Sequence, residues 1–221
     1  EELTRTCNCQ PALYVHGLAC LAVLKELVPS LNPVAAAGLS LGEFTAHAAA
    51  GTYSFEEGLR LVQKRGAFME EACNATKGTM AAMIGGTDEN VIKLAQECDV
   101  DVANFNCPGQ TVVSGTEEGV AKAVAGAKAA GCKIAKKLNV AGAYHSRLMH
   151  SAMVKLKEEL KNISFGTPSM PVYCNYEARV VEGPDDIRSM LEHQVCGSVR
   201  WTASMQKLVD QGHRLFIELG P

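Results

Sequence analysis

The sequence lacks a surplus of positive charge: 21 Lys and Arg stand against 24 Asp and Glu, a net charge of −3. A nucleic-acid binder gathers basic residues to neutralise phosphates, so nucleic acid is not an expected partner. Long apolar runs are missing as well. The stretches around Val34–Leu39 and Ile84 are far shorter than the roughly 20 residues that span a bilayer, and no basic-then-apolar leader opens the chain. No membrane partner is expected. A disulfide pattern is missing too: the nine cysteines are odd in number and scattered through 221 residues. The one close pair, Cys7 and Cys9, has the two-residue gap of neither a zinc knuckle nor a redox motif. Reduced thiols are expected, with no disulfide framework, no metal and no cofactor. A disorder signature is absent too, since 47% of residues are apolar and 20% charged. Such a chain can bury a substantial core as one large domain or as a domain carrying a smaller insert.

What is present reads as alternating helices and strands. Gln10 to Val28 is rich in Ala and Leu and stops at Pro29, which cannot continue a helix. Val34–Ala37 is short, apolar and bounded by Pro33 and Gly38, as a buried parallel strand would be. A helix from Gly42 to about Ala50 follows, and Ser54 with Glu57 forms a capping box before a long helix to about Cys73. From Gly78 to Val140 the pattern becomes compact. Strand 79–84, helix 87–98, strand 100–105, strand 111–114 after the Pro108-Gly109 turn, helix 116–131 and strand 132–140 give the ferredoxin-like order β-α-β-β-α-β. Signals for the main sheet then resume: helix 146–161, strand 172–174, helices 185–193 and 198–211, and a last strand, Leu215–Leu219. The expected fold class is α/β, a parallel-sheet core of residues 1–75 and 141–221 with a ferredoxin-like insert over 76–140.

Gly38-Leu39-Ser40-Leu41-Gly42 matches a nucleophile elbow, in which a serine occupies a sharp turn between strand and helix. The five-residue string alone is weak, because Gly and Ser are common in plain loops. Here an apolar strand precedes it and a helix follows. The two glycines would let backbone pass close on either side, and Leu41 N–H would help to stabilise an oxyanion at the helix N-terminus.

A serine needs a base, and there are six histidines. His16 and His47 lie in Ala-rich helices. His150, His193 and His213 sit among charged or polar residues. His145 follows a strand end in Ala141-Gly142-Ala143-Tyr144-His145-Ser146, where small residues leave room for substrate. A lone histidine is commonly a satisfied structural group, so spacing leaves this choice open.

Arg65 gives an independent clue. On the helix 54–73, Glu56, Glu57, Arg60, Gln63, Lys64, Glu70 and Glu71 share one face, and Leu59, Leu61, Val62, Met69, Ala72 and Cys73 the other. Arg65 falls in the middle of the apolar face, where a guanidinium costs several kcal/mol unless an anion pairs with it. Its partner is either an internal carboxylate or a carboxylate substrate held in a bidentate fork.

These stretches together carry a resemblance. Gln10-Pro11-Ala12, Gly38–Glu43, Leu61–Gly66 with Met69, Asn104–Gln110, Gly142–Ser146 and Phe216–Pro221 are similar, in order and spacing, to the malonyl-CoA:acyl-carrier-protein transacylases. That resemblance implies an α/β-hydrolase-like core with a ferredoxin-like insertion. It implies malonyl transfer from malonyl-CoA to acyl carrier protein in fatty acid biosynthesis, with Ser40 as nucleophile, His145 as base then acid, and Arg65 on the malonyl carboxylate. It further implies that the backbone carbonyl of Gln194 orients His145, that Asn106 lines the cleft, and that Tyr144 stands where malonyl-selective members carry an aromatic residue, usually Phe. Family members open with a strand and a Gly-Gln-Gly loop whose Gln completes the oxyanion hole. Nothing like it precedes Glu1, so a piece of a longer gene product is expected.

Three rivals stand beside this reading: a serine esterase with a late base such as His213, a catalytically dead carrier-protein docking module, and a domain of a polyketide or fatty-acid megasynthase. The expected working form is a cytoplasmic monomer, with an organelle left open because the start of the chain is missing.

Overall fold

A computed structural model of the protein describes residues Glu2–Gly220; Glu1 and Pro221, the first residue and the last of the terminal motif, lie outside the described residues. Eight α-helices and six strands alternate along it: α1 (Thr6–Leu27), β1 (Ala36–Ala37), α2 (Leu41–Ala49), α3 (Phe55–Ala75), β2 (Gly78–Ile84), α4 (Asp88–Glu97), β3 (Asp101–Cys107), β4 (Gln110–Thr116), α5 (Glu117–Gly126), β5 (Ile134–Lys137), α6 (His150–Lys161), β6 (Val172–Tyr173), α7 (Pro184–His193) and α8 (Trp201–Asp210).

β1 and β6 pair in parallel, Ala36 opposite Val172 and Ala37 opposite Tyr173. Around them α1, α2, α3, α6 and α7 bury one apolar core that includes Tyr14, Phe44, Leu61, Val62, Leu156, Val172 and Leu191. The second sheet is antiparallel in the order β3-β4-β2-β5, covered by α4 and α5 over Met83, Val91, Val113 and Val120. This is the ferredoxin-like arrangement expected from the strand and helix signals. Residues 198–202 tie the two together. Phe105 N–H donates to Val199 O, Val199 N–H to Ala103 O, and the hydroxyls of Ser198 and Thr202 to the carbonyls of Val102 and Phe105.

The local chemistry follows the sequence at the helix starts. Ser54 accepts from Glu57 N–H while Glu57 accepts from Ser54 N–H, the reciprocal capping box that opens α3. Thr87 and Thr116 cap α4 and α5 without the reciprocal bond, their hydroxyls accepting from Asn90 N–H and Gly119 N–H.

Three expected strands differ most. Val34–Ala37 shrinks to Ala36–Ala37, strand 132–140 to Ile134–Lys137, and Leu215–Leu219 runs as irregular chain, with Leu215 83% exposed. A strand exists only where a neighbour completes its ladder, and among the described residues segment 215–219 has no such neighbour. α1 starts a turn earlier than Gln10 and carries Pro11 inside it. By length and composition α1 is also long and apolar enough to cross a membrane, a property hidden in the sequence by Asn8, Gln10, His16 and Lys25. Its buried residues, Thr6, Gln10, Tyr14 and Gly17, form a face that packs on α3 and α2.

Candidate functional site

Ser40 stands between β1 and α2 with φ 53° and ψ −107°, outside the regions an L-residue ordinarily occupies. Such strain persists only where surroundings over-determine it, and clusters at functional sites. Here the surroundings are explicit. Asn175, just past β6, accepts Ser40 N–H at 2.6 Å and donates from Nδ2 to Gly38 O at 2.7 Å. Gly38 must lack a side chain, since a Cβ there would fall 2.0 Å from the Gly42 backbone; one at Gly42 would meet open space, so the close approach expected at both glycines is needed at Gly38. Ser40 occupies the N-cap position of α2 but makes no capping bond, which leaves its hydroxyl to other partners. Leu41 is the first residue of α2, and the N–H of a first helical residue has no acceptor within its own helix.

The structure brings His145 to that hydroxyl: Nε2 lies 2.8 Å from Ser40 Oγ, and Nδ1 lies 2.7 Å from Gln194 O. A carbonyl can only accept, so Nδ1 carries the ring proton and Nε2 presents a lone pair to Ser40. Burial, reinforced by the nearby Arg65 charge, holds the His145 pKa down to about 4, so the ring is neutral at neutral pH. His145 too has positive φ, 54°. Ser146 bonds to Ala143 O, which closes this turn. His213 lies beyond α8 with its N–H donated to Leu208 O, and His16 and His150 are exposed.

Arg65 is 1% exposed. Its Nη1 donates to Gln10 Oε1 at 2.5 Å, and its Nη2 donates to Gln194 Oε1 at 2.8 Å and to Ser40 Oγ at 3.0 Å. The guanidinium also lies over the Phe44 ring, 5.1 Å from its centroid. Burial lowers the Arg65 pKa to about 10, with Glu43 opposing the shift, so the cation persists at neutral pH. Arg65 Nε is buried without a hydrogen-bond partner among the described residues. Among the described residues no carboxylate touches the fork; the carboxyl of Glu43 is fully buried and separated from Arg65 by the Gln194 amide.

Gln194 therefore binds the cluster with both ends of its residue. Its backbone oxygen holds His145, its Oε1 faces Arg65, and its Nε2 donates to Ser40 O at 3.0 Å and Glu43 Oε2 at 2.9 Å. Tyr144 is half-buried near Thr6 and Cys73, with its hydroxyl pKa pushed up by burial. Asn106 stands apart from these bonds: its Nδ2 donates to Gln110 Oε1, and its Oδ1 is buried without a hydrogen-bond partner among the described residues. A cleft of about 480 Å³ opens between Asp101, Arg147, Tyr176 and Arg200, and none of Asn106, Ser40 and His145 lines it.

Glu43, Asn175 and the part played by Gln10 were not read from the sequence. Asn175 had a signal, since it follows an apolar strand at the carboxyl end of a parallel pair, where α/β sites gather. Glu43 had none, because an acidic residue in the first turn of a helix is ordinarily a solvated partner of the dipole.

An elbow serine, a neutral histidine and a buried guanidinium, all within hydrogen-bond reach, make serine acyl transfer available. The chain belongs to the acyl transferase domain family, whose model matches residues 1–221. It is 42% identical over 226 residues to the malonyl CoA-acyl carrier protein transacylase of Bacillus subtilis, covering 100% of this chain and 71% of that protein. The structure is similar to the malonyl CoA-acyl carrier protein transacylase from Coxiella burnetii, with a TM-score of 0.96 at 35% identity over 99% of this chain and 70% of that one. It is also similar to a malonyl-transacylase solved in complex with its type II polyketide acyl-carrier protein, with a TM-score of 0.92 at 37% identity over 96% and 69% of the two chains.

Proposed function

We propose that this chain moves a malonyl group from coenzyme A to the phosphopantetheine thiol of an acyl carrier protein, through a malonyl-serine intermediate, as a step of fatty acid biosynthesis. The observation that carries this reading is the bond from Arg65 Nη2 to Ser40 Oγ, which sets a buried cation beside the hydroxyl that would attack. Ser40 Oγ–H gives its proton to His145 Nε2 as Oγ bonds to the thioester carbon. Leu41 N–H, at the head of α2, stabilises the oxyanion. The carbon–sulfur bond then breaks and His145 returns the proton to the coenzyme A thiolate. Its depressed pKa favours that return, because the imidazolium sits buried beside Arg65. The carrier thiol repeats the sequence in reverse and leaves with the malonyl group. Arg65 holds the free carboxylate throughout, taking it in place of Gln10, Gln194 and Ser40. Tyr144 and Asn106 are assigned to the substrate cleft, and Gln194 to orienting His145.

A polyketide carrier is the second reading of the acceptor, favoured by the similarity to the polyketide transacylase complex. The esterase alternative is disfavoured because His145 Nδ1 meets a carbonyl rather than a carboxylate, and because an arginine is buried at the nucleophile. The proposed working form is a cytoplasmic monomer, with residues 76–140 as the inserted unit; sedimentation at a mass above one chain overturns the monomer. The test of function is intact-protein mass spectrometry after mixing with malonyl-CoA. A malonyl adduct on wild type that disappears in Ser40→Ala is the expected result; an adduct on Ser40→Ala overturns the assignment.

A further inference from the structure

One buried ionisable group in the cluster has no part in the transfer. Glu43, at the third position of α2, is 0% exposed, yet its Oε2 accepts from both sides of the site: from Asn175 N–H at 2.9 Å and from Gln194 Nε2 at 2.9 Å. Each of these partners leads to reacting groups. Asn175 takes Ser40 N–H and ties down Gly38 O, while Gln194 holds His145, Arg65 and Ser40 O. An ionised carboxylate can only accept, so it fixes the Gln194 amide with its NH2 end inward and its oxygen toward Arg65. We propose that Glu43, as the carboxylate, is a positioning residue that sets Gln194 and Asn175 and through them keeps Ser40, His145 and Arg65 in register.

The carboxylate is placed where its charge can be lost. Burial pushes its pKa up to about 7, against the bonds from Asn175 and Gln194 and the Arg65 charge. Its Oε1 is buried with no hydrogen-bond partner among the described residues, so a proton there breaks no existing bond. The other groups facing it hold one state at neutral pH: Arg65 on α3 is cationic, Tyr53 and Cys174 are kept neutral by burial, and His47, one turn along α2, is held neutral with its pKa at about 4. Hydrogen bonds to an ionised acceptor are stronger than those to a neutral one, so protonation loosens both anchors together.

The proposal rests on the acyl-transfer reading above, and its test separates the two. Single-turnover acylation by malonyl-CoA is followed by mass spectrometry from pH 4 to 9 for wild type and Glu43→Gln. The amide oxygen of Gln can take the same two donors, so circular dichroism should show a folded variant. Wild type should lose about tenfold in rate as pH falls through about 7, before the deeper fall as His145 protonates near 4. Glu43→Gln should show no limb near 7 and should run at the wild-type low-pH plateau, with the loss in kcat rather than KM. A wild-type profile flat from pH 5.5 to 8.5 overturns the proposal without any variant. So does a Glu43→Gln protein with the wild-type rate and profile, or a loss confined to KM. A wild-type protein that never acquires a malonyl group sinks the function instead.

Discussion

Arg65 Nη2 donates to Ser40 Oγ at 3.0 Å and to Gln194 Oε1 at 2.8 Å, so one buried nitrogen contacts both the elbow hydroxyl and the residue that holds the histidine. A cation taken fully out of water is strongly unfavourable alone, and here it is met by amide oxygens, a hydroxyl and an aromatic face rather than by a direct carboxylate. Three neutral acceptors leave the fork able to exchange partners for an incoming anion. A direct salt bridge to Glu43 would have closed it.

The histidine assignment makes the first prediction. His145→Ala should slow malonyl acylation by about 10²- to 10⁴-fold, whereas His213→Ala should leave it within twofold of wild type, as pre-steady-state kinetics can read. The reverse ranking would restore the esterase reading.

Much of this geometry was legible in the sequence, and the reasons differ by residue. Ser40 on a strand-to-helix turn and Arg65 on an apolar helix face follow from local pattern alone, because turn glycines and helical period are written in neighbouring residues. The Ser54–Glu57 capping box and the ferredoxin-like order are legible for the same reason. His145 was one of six until the resemblance singled it out. Asn175 and Glu43 lie 132 residues apart and meet only because β6 pairs with β1. The lost strand at 215–219 marks the same limit, since strand propensity is local but a ladder needs a partner.

Asn175 supplies the second prediction. Asn175→Ala leaves Ser40 N–H without its acceptor and frees Gly38 O, so a backbone held at φ 53° loses two ties. Thermal unfolding should show a loss of about 1–3 kcal/mol, accompanied by slower acylation. Unchanged stability would mean that the elbow is held by α2 alone.

Acid sensitivity supplies the third. His47 is 0% exposed, bonded through Nδ1 to Thr52 Oγ1, and held neutral with its pKa at about 4 by burial. Its folded pKa is depressed below the unfolded value of about 6.5, so its stabilisation is complete above 6.5 and lost as pH falls toward 4. His145 acts in the same direction and Glu43 in the opposite one, since its raised pKa stabilises most below about 4.5 and fades as pH rises through 7. His47→Asn, which keeps a polar atom near the Nδ1 position, should remove up to about 3 kcal/mol of the decline between pH 6.5 and 4. Parallel melting curves for variant and wild type across that range would refute the buried neutral histidine.

Carrier docking supplies the fourth. Lys133, Lys136 and Lys137 lie exposed in and beside β5, an edge strand, with Lys137 3.5 Å from Glu117. Exposed lysines on an edge also serve to block strand pairing, so their charge needs a functional readout. Lys136→Glu with Lys137→Glu should weaken transfer to an acidic carrier protein, more so at low salt, while acylation by malonyl-CoA is unchanged. Equal effects on both half-reactions would assign β5 to edge protection alone.

The central claim is that Arg65 reads the substrate carboxylate from beside the nucleophile, and the ratio of malonyl to acetyl specificity constants tests it most directly. Acetyl-CoA offers no anion to the buried fork, so wild type should favour malonyl strongly. Arg65→Ala should fold, because Glu43 can take up a proton once its neighbouring cation is gone; that proton slows transfer of either acyl group alike, so malonyl transfer should be mostly lost while acetyl transfer falls far less. Arg65→Lys should recover only part, as a point charge does not reproduce a bidentate fork. The account predicts that the malonyl-to-acetyl ratio collapses by about 10²-fold or more in Arg65→Ala. A ratio equal to wild type would make Arg65 a structural cation and contradict the account.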